Sequence, residues 1–209
     1  MTNERLSLSL VERKLNNTGL RIFTVSEFSK FLEIKSSTAR AFLSRNSKKQ
    51  NSYFLKIKKG LYIFAHNLPN KFEIANKLYK PSYISFETAL SFYGIIPENV
   101  YSIISATTKQ TKSFSVQRSF FDYIKIKKSL FFGYQPQKMR GVNVLMAERE
   151  KALLDYIYLL SLRKKDLNDR VDLSKIDDNK LGYYVKYFKN NLRKNKSFIN
   201  LIKIIYKPI

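Results

Sequence analysis

Residues 24–65 leave this chain few ways to fold. Thr24-Val25-Ser26-Glu27 reads as a helix start, since a threonine hydroxyl can accept the amide three residues on while the glutamate reaches back to the threonine amide. Val25, Phe28 and Leu32 then give a short helix one apolar stripe. A turn is expected at Glu33 to Lys35, and Ser36 or Ser37 is expected to cap a further helix. In that helix Ala39, Phe42 and Leu43 share a face. At 100° per residue the opposite face carries Ser37, Ala41, Ser44, Arg45 and Lys48, with Thr38 and Arg40 on its flanks. Two strand-like runs follow, Tyr53 to Ile57 and Leu61 to Ala65, joined by Lys58-Lys59-Gly60, where glycine supplies a positive φ.

Helix, turn, helix and hairpin in that order predict a winged helix-turn-helix, preceded by a helix from about Glu4 to Asn17 built on Leu8, Val11 and Leu15. The outer face of its second helix suits base edges. Arginine can grip guanine O6 and N7 with two hydrogen bonds, and alanine can touch a thymine methyl. Arg40, Arg45 and Ser44 are the expected base readers, with Ser37, Thr38 and Lys48 helping at the groove. Lys56, Lys58 and Lys59 are expected to hold phosphates.

Charge points the same way. The 209 residues hold 39 Lys and Arg against 16 Asp and Glu, a net charge of +23, which favours a polyanionic partner, double-stranded DNA first. There is no cysteine and a single histidine, His66, so a zinc site is not expected, and neither is any cofactor. No signal-peptide core or run of 18 apolar residues occurs, so a cytoplasmic protein without a membrane partner is expected. Polar residues around Pro69 mark a boundary between an N-terminal domain (1–66) and a second domain (67–209).

The second domain reads as mixed, so the fold class expected for the chain is α+β, with a mainly antiparallel sheet and flanking helices. Helices are expected at Lys71 to Tyr79, from a Ser85 cap through Tyr93, at Glu148 to Leu162 and across the basic last 30 or so residues. The helix at Glu148 to Leu162 is expected to be amphipathic, with Lys151 and Asp155 a solvated i,i+4 pair. Strands are expected at Val100 to Thr107, Ser113 to Gln117, Phe121 to Ile126, Phe131 to Tyr134 and Val142 to Met146, with Lys109 to Lys112 a hairpin turn. The competing enzymatic reading is a carboxylate nuclease using Glu87, Asp122, Glu148, Glu150 and Lys151. Their spacing fits a metal site poorly, so no catalytic residue is expected.

Several segments resemble a known family. The capped helix-turn-helix with Lys59-Gly60-Leu61-Tyr62 resembles the N-terminal domain of AbiEi-type antitoxins of abortive-infection systems. Tyr83 to Gly94 resembles the family's "YxSxxTALxxYGL" helix, Thr107-Thr108-Lys109 its "TT(K/R)" segment, Phe131 to Tyr134 its "FFGY" segment and Ala147 to Asp155 its "AxxEKALLD" helix. The resemblance covers roughly residues 10–165, and nothing after about Leu167 matches. It implies a non-enzymatic antitoxin of a type IV toxin–antitoxin pair. Such a protein binds inverted repeats in its own promoter, with two copies expected on the DNA, and represses the operon. Its second domain counters a nucleotidyltransferase-like toxin, often without a stable complex. The alternative is a stand-alone winged-helix regulator whose second domain senses a ligand or oligomerises.

Overall fold

A computed structural model describes residues 6–48, 52–163 and 170–205. The chain is α+β and divides into two compact units, Met1–Asn70 and Lys71–Ile209.

The first unit runs α1 (Leu8–Thr18), β1 (Ile22–Thr24), α2 (Val25–Leu32), α3 (Ser36–Arg45), β2 (Phe54–Lys58) and β3 (Leu61–Phe64). The expected start of α1 at Glu4 lies outside the described residues. The capping box at α2 is present: the Glu27 amide donates to Thr24 Oγ1 at 3.1 Å and the Thr24 amide to Glu27 Oε2 at 2.7 Å. The short strand β1 adds to the expected hairpin, making a three-stranded antiparallel sheet in the order β1-β3-β2. Among the described residues eleven buried side chains form one core, including Val11, Leu15, Phe23, Phe28, Phe42, Leu43 and Phe54.

The second unit holds a six-stranded sheet built from β4 (Ser82–Ile84), β5 (Ser102–Thr107), β6 (Lys112–Val116), β7 (Ser119–Lys125), β8 (Tyr134–Met139) and β9 (Val142–Ala147). Its order is β6-β7-β5-β4-β9-β8. The sheet is mixed, since β4/β9 and β5/β7 pair parallel while the other three pairings are antiparallel. Lys109 to Lys112 is therefore not a hairpin turn. β7 lies between β5 and β6, so these residues begin a crossover. The turns that do close hairpins are Gln117-Arg118 and Arg140-Gly141, where Gln117, Arg140 and Gly141 take positive φ.

Among the described residues five α-helices complete the unit: α4 (Lys71–Leu78), α5 (Phe86–Phe92), α6 (Arg149–Arg163), α7 (Asp178–Asn191) and α8 (Lys196–Ile205). The central one is α6, packed against α5, α7 and α8. It is not amphipathic as expected, for every residue from Glu150 to Ser161 is buried. Its partners enclose it on all sides, which is the situation that an apolar circumference serves. Phe131 to Gly133 is not a strand. A single 3-10 turn (Lys128–Leu130) precedes it, and pairing with β9 begins only at Tyr134.

Candidate nucleic-acid interface and a buried polar centre

Two turns set the exposed basic surface of the first unit. Between α2 and α3, Glu33 takes φ 56°, and the Ile34 amide returns to the Ser29 carbonyl at 3.0 Å. The Ser29 hydroxyl, almost fully buried, donates to the Ile34 carbonyl at 2.8 Å and lies 3.2 Å from the Ser36 hydroxyl. Neither Ser36 nor Ser37 caps α3. The N-cap position is Lys35, without a side-chain bond, because the Ser36 hydroxyl is turned toward Ser29. At the hairpin tip Gly60 takes φ 76°, and its carbonyl accepts the Val25 amide at 3.2 Å. The hairpin is thus tied to the first turn of α2.

Ala39, Phe42 and Leu43 of α3 face the core as expected. Ser37, Thr38, Arg40, Ala41 and Arg45 are exposed, and Ser44 is half-buried. Lys48 is exposed but does not extend the helical face, because α3 ends at Arg45 and Asn46 closes it with an amide to the Phe42 carbonyl. Lys56, Lys58 and Lys59 are exposed on the hairpin, with the pairing register shifting between Lys56 and Lys58. His66 packs at the end of the unit: its Nδ1 lies 2.7 Å from Glu12 of α1, and its ring packs on Tyr53 and Phe64.

In the second unit the largest departure from expectation is the Lys151–Asp155 pair. It is not solvated, since both side chains are fully buried. Lys151 Nζ is hydrogen-bonded to Asp155 Oδ1 and donates to the Tyr83 hydroxyl at 2.7 Å. Asp155 Oδ2 accepts from the Tyr83 hydroxyl at 2.9 Å and from the Ser85 hydroxyl at 2.7 Å. Ser85 stands at the N-cap position of α5, but its side chain serves Asp155 instead of capping. The ammonium also lies over the rings of Tyr83, Phe132 and Phe188, at 5.2, 5.4 and 5.1 Å from their centres. A cation removed from water needs such compensation. Burial pushes the Lys151 ammonium below its ordinary value, against the opposing pull of Asp155.

Phe131 to Tyr134 forms the wall of this centre. Tyr134 stacks on Tyr83 at 4.5 Å, Phe131 packs against both rings, and Gly133 sits at φ 68°. A Cβ on Gly133 would stand 3.0 Å from Lys151 Cγ. Three of the four second-domain segments singled out in the sequence therefore meet at one place. The fourth supports them, for the Thr107 hydroxyl donates to the Pro81 carbonyl at 2.7 Å beside the strand carrying Tyr83.

The five nuclease candidates do not come together. Glu87 and Asp122 line one cleft of about 520 Å³ with Glu98, Tyr101 and Phe120. Glu148 and Glu150 line another of about 580 Å³ with Arg149, Gln135 and Gln137. Lys151 is sealed away from both. Glu148 and Glu150 both approach Lys180, at 3.0 and 3.9 Å. Among the described residues no three histidine or acidic side chains gather as metal ligands would.

Buried tyrosines make the second unit sensitive to base. Burial raises Tyr83, Tyr123 and Tyr184 above the ordinary value of 10.0. Asp155 adds to the effect at Tyr83 and Glu148 at Tyr184. The folded state keeps protons there that the unfolded chain releases, so this stability is full below pH 10.0 and falls as pH rises above it. An absorbance titration is expected to show the fully buried Tyr83 and Tyr123 ionising only together with loss of circular dichroism. Reversible titration of all 14 at the ordinary value, with structure intact, would contradict this.

No family model matches the chain, and no curated protein does. Among solved structures, the crystal structure of the RV2827C protein from Mycobacterium tuberculosis is similar, with a TM-score of 0.52 at 11% identity. The match covers 96% of this chain and 81% of that one, and at this identity it speaks for the fold alone. Among the described residues no helix is long and apolar enough to cross a membrane.

Proposed function

We propose that the protein is a DNA-binding antitoxin and autorepressor whose first unit works as a winged helix-turn-helix. The observation that carries this reading is the outer face of α3, where Ser37, Thr38, Arg40 and Arg45 are exposed beside a hairpin bearing Lys56, Lys58 and Lys59. In this reading α3 enters the major groove and the arginines contact guanine edges. The hairpin lysines neutralise flanking phosphates. Two copies on inverted half-sites would double both sets of interactions. The second unit counters a nucleotidyltransferase-like toxin without catalysis of its own. Support for that role comes from the family-like segments around Lys151 and Asp155, which resemble those of AbiEi-type antitoxins.

The test is fluorescence anisotropy with duplex DNA from upstream of the protein's own coding sequence, against scrambled duplex at two salt concentrations. Preference for the native sequence that survives higher salt is expected. Arg45→Ala is expected to cost about 1–3 kcal/mol on the native duplex and little on the scrambled one. Replacing Lys56, Lys58 and Lys59 with alanine is expected to weaken both duplexes and to flatten the salt dependence by about 0.9 for each phosphate no longer neutralised. Equal affinity of the wild-type protein for both duplexes, or an Arg45→Ala protein with unchanged preference, would refute the groove assignment.

A further inference from the structure

We propose that the outer face of α7 binds single-stranded nucleic acid, separately from the duplex-binding role assigned to the first unit. Helix α7 buries Leu181, Val185 and Phe188, and the side opposite that stripe carries Asn179, Lys180, Tyr183, Lys186, Tyr187 and Asn190. Tyr183 is 71% exposed and Tyr187 42% exposed, one turn apart, with the exposed Lys186 beside them. None of α7's own residues on this face is acidic, since Asp178 projects to another side of the helix. At the near end Lys180 is taken up by Glu148 at 3.0 Å and Glu150 at 3.9 Å, so the free cations lie at Lys186 and toward the far end. At the far end Lys127 Nζ donates to the Asn191 carbonyl at 3.2 Å, which brings a second basic segment alongside, and Arg193 and Lys194 are exposed just beyond. Phe132 packs edge-to-face with Tyr184 and Tyr187, at 5.3 and 4.7 Å, and Tyr183 packs on Tyr184 at 5.8 Å.

Exposed rings at one-turn spacing, with Lys186 beside them and further basic residues beyond the far end, match what an unpaired strand offers: free base faces joined by phosphates. A duplex hides its base faces in the stack, so tyrosine rings gain nothing from it there. A second copy of the chain is disfavoured because residues 67–209 alone carry 26 basic against 12 acidic groups. A lipid surface would call for aliphatic residues where this face has tyrosine and asparagine.

The experiment uses the full chain and labelled oligouridylate and oligothymidylate of about 20 nucleotides, with an unrelated duplex as control. Tyr183→Ala/Tyr187→Ala removes both rings and no charge. It is expected to weaken single-strand binding about tenfold or more and to leave duplex binding unchanged. Tyr183→Phe/Tyr187→Phe is expected to bind like the wild type. Lys186→Glu gives a second reading with both rings intact, again selective for the single strands. Stronger binding of the uridylate would identify RNA as the partner, and equal binding would leave single strands of either sugar; both support the proposal. An alanine variant within twofold of wild type on both oligonucleotides would overturn it, as would a parallel loss on the duplex.

Discussion

Asp155→Ala is expected to destabilise the second unit by about 3–5 kcal/mol, because it leaves the Lys151 ammonium buried with no counter-charge. The Tyr83 and Ser85 hydroxyls lose their acceptor in the same step. In a urea titration followed by circular dichroism, the transition of this unit should move to much lower denaturant, with that of the first unit unchanged. The double replacement Lys151→Met/Asp155→Leu should recover most of the loss. Apolar side chains of similar volume often substitute for a buried ion pair without penalty, and the remaining cost would lie in the two orphaned hydroxyls. A single Asp155→Ala protein as stable as wild type would mean that the pair is not sealed from water.

Phe28→Ala is expected to cost the first unit a similar amount, about 3–5 kcal/mol, and with it the DNA binding proposed above. The Phe28 ring stacks on Phe23 at 5.1 Å and on Phe42 at 6.1 Å, and meets Phe54 edge-on at 5.9 Å. It therefore joins β1, α3 and β2 through one side chain, and Phe42 is the residue through which α3 is seated. Removing it should unfold the first unit at moderate temperature while the second keeps its own transition. A Phe28→Ala protein that still prefers its native duplex would show that α3 is held by something other than this aromatic cluster.

The first unit was the more readable from sequence because its signals are local. The Thr24–Glu27 box, the stripe Ala39, Phe42 and Leu43, and Gly60 at the hairpin tip each act within a few residues, and each is present. The third strand β1 was missed because its three residues are too few for alternation to register. In the second unit the decisive facts are long-range. Nothing near Lys109 reveals that β7 will come between β5 and β6. Local spacing made Lys151 and Asp155 an ordinary surface pair, yet one clue was present. Ala152 to Leu160 is apolar all round save for Asp155, and a helix of that kind is enclosed. Among the candidate DNA-binding residues placed on α3, all are exposed except half-buried Ser44, and exposed Lys48 lies past the helix end.

Strand β8 closes one edge of the six-stranded sheet, and an open edge is where chains stick together. Leu145 of β9 lies opposite Pro136 and hands both of its backbone groups to the Asn76 side chain, at 2.5 and 3.2 Å, on the side away from β8. The pair therefore sits where β8 directs its own backbone outward. At that outward position Pro136 has no N–H to offer, and Gln135, Pro136 and Lys138 are all exposed. A stray strand arriving at this edge finds a missing donor followed by a charge. This blunts strand-by-strand growth of aggregates in a protein with 30 phenylalanine and tyrosine residues.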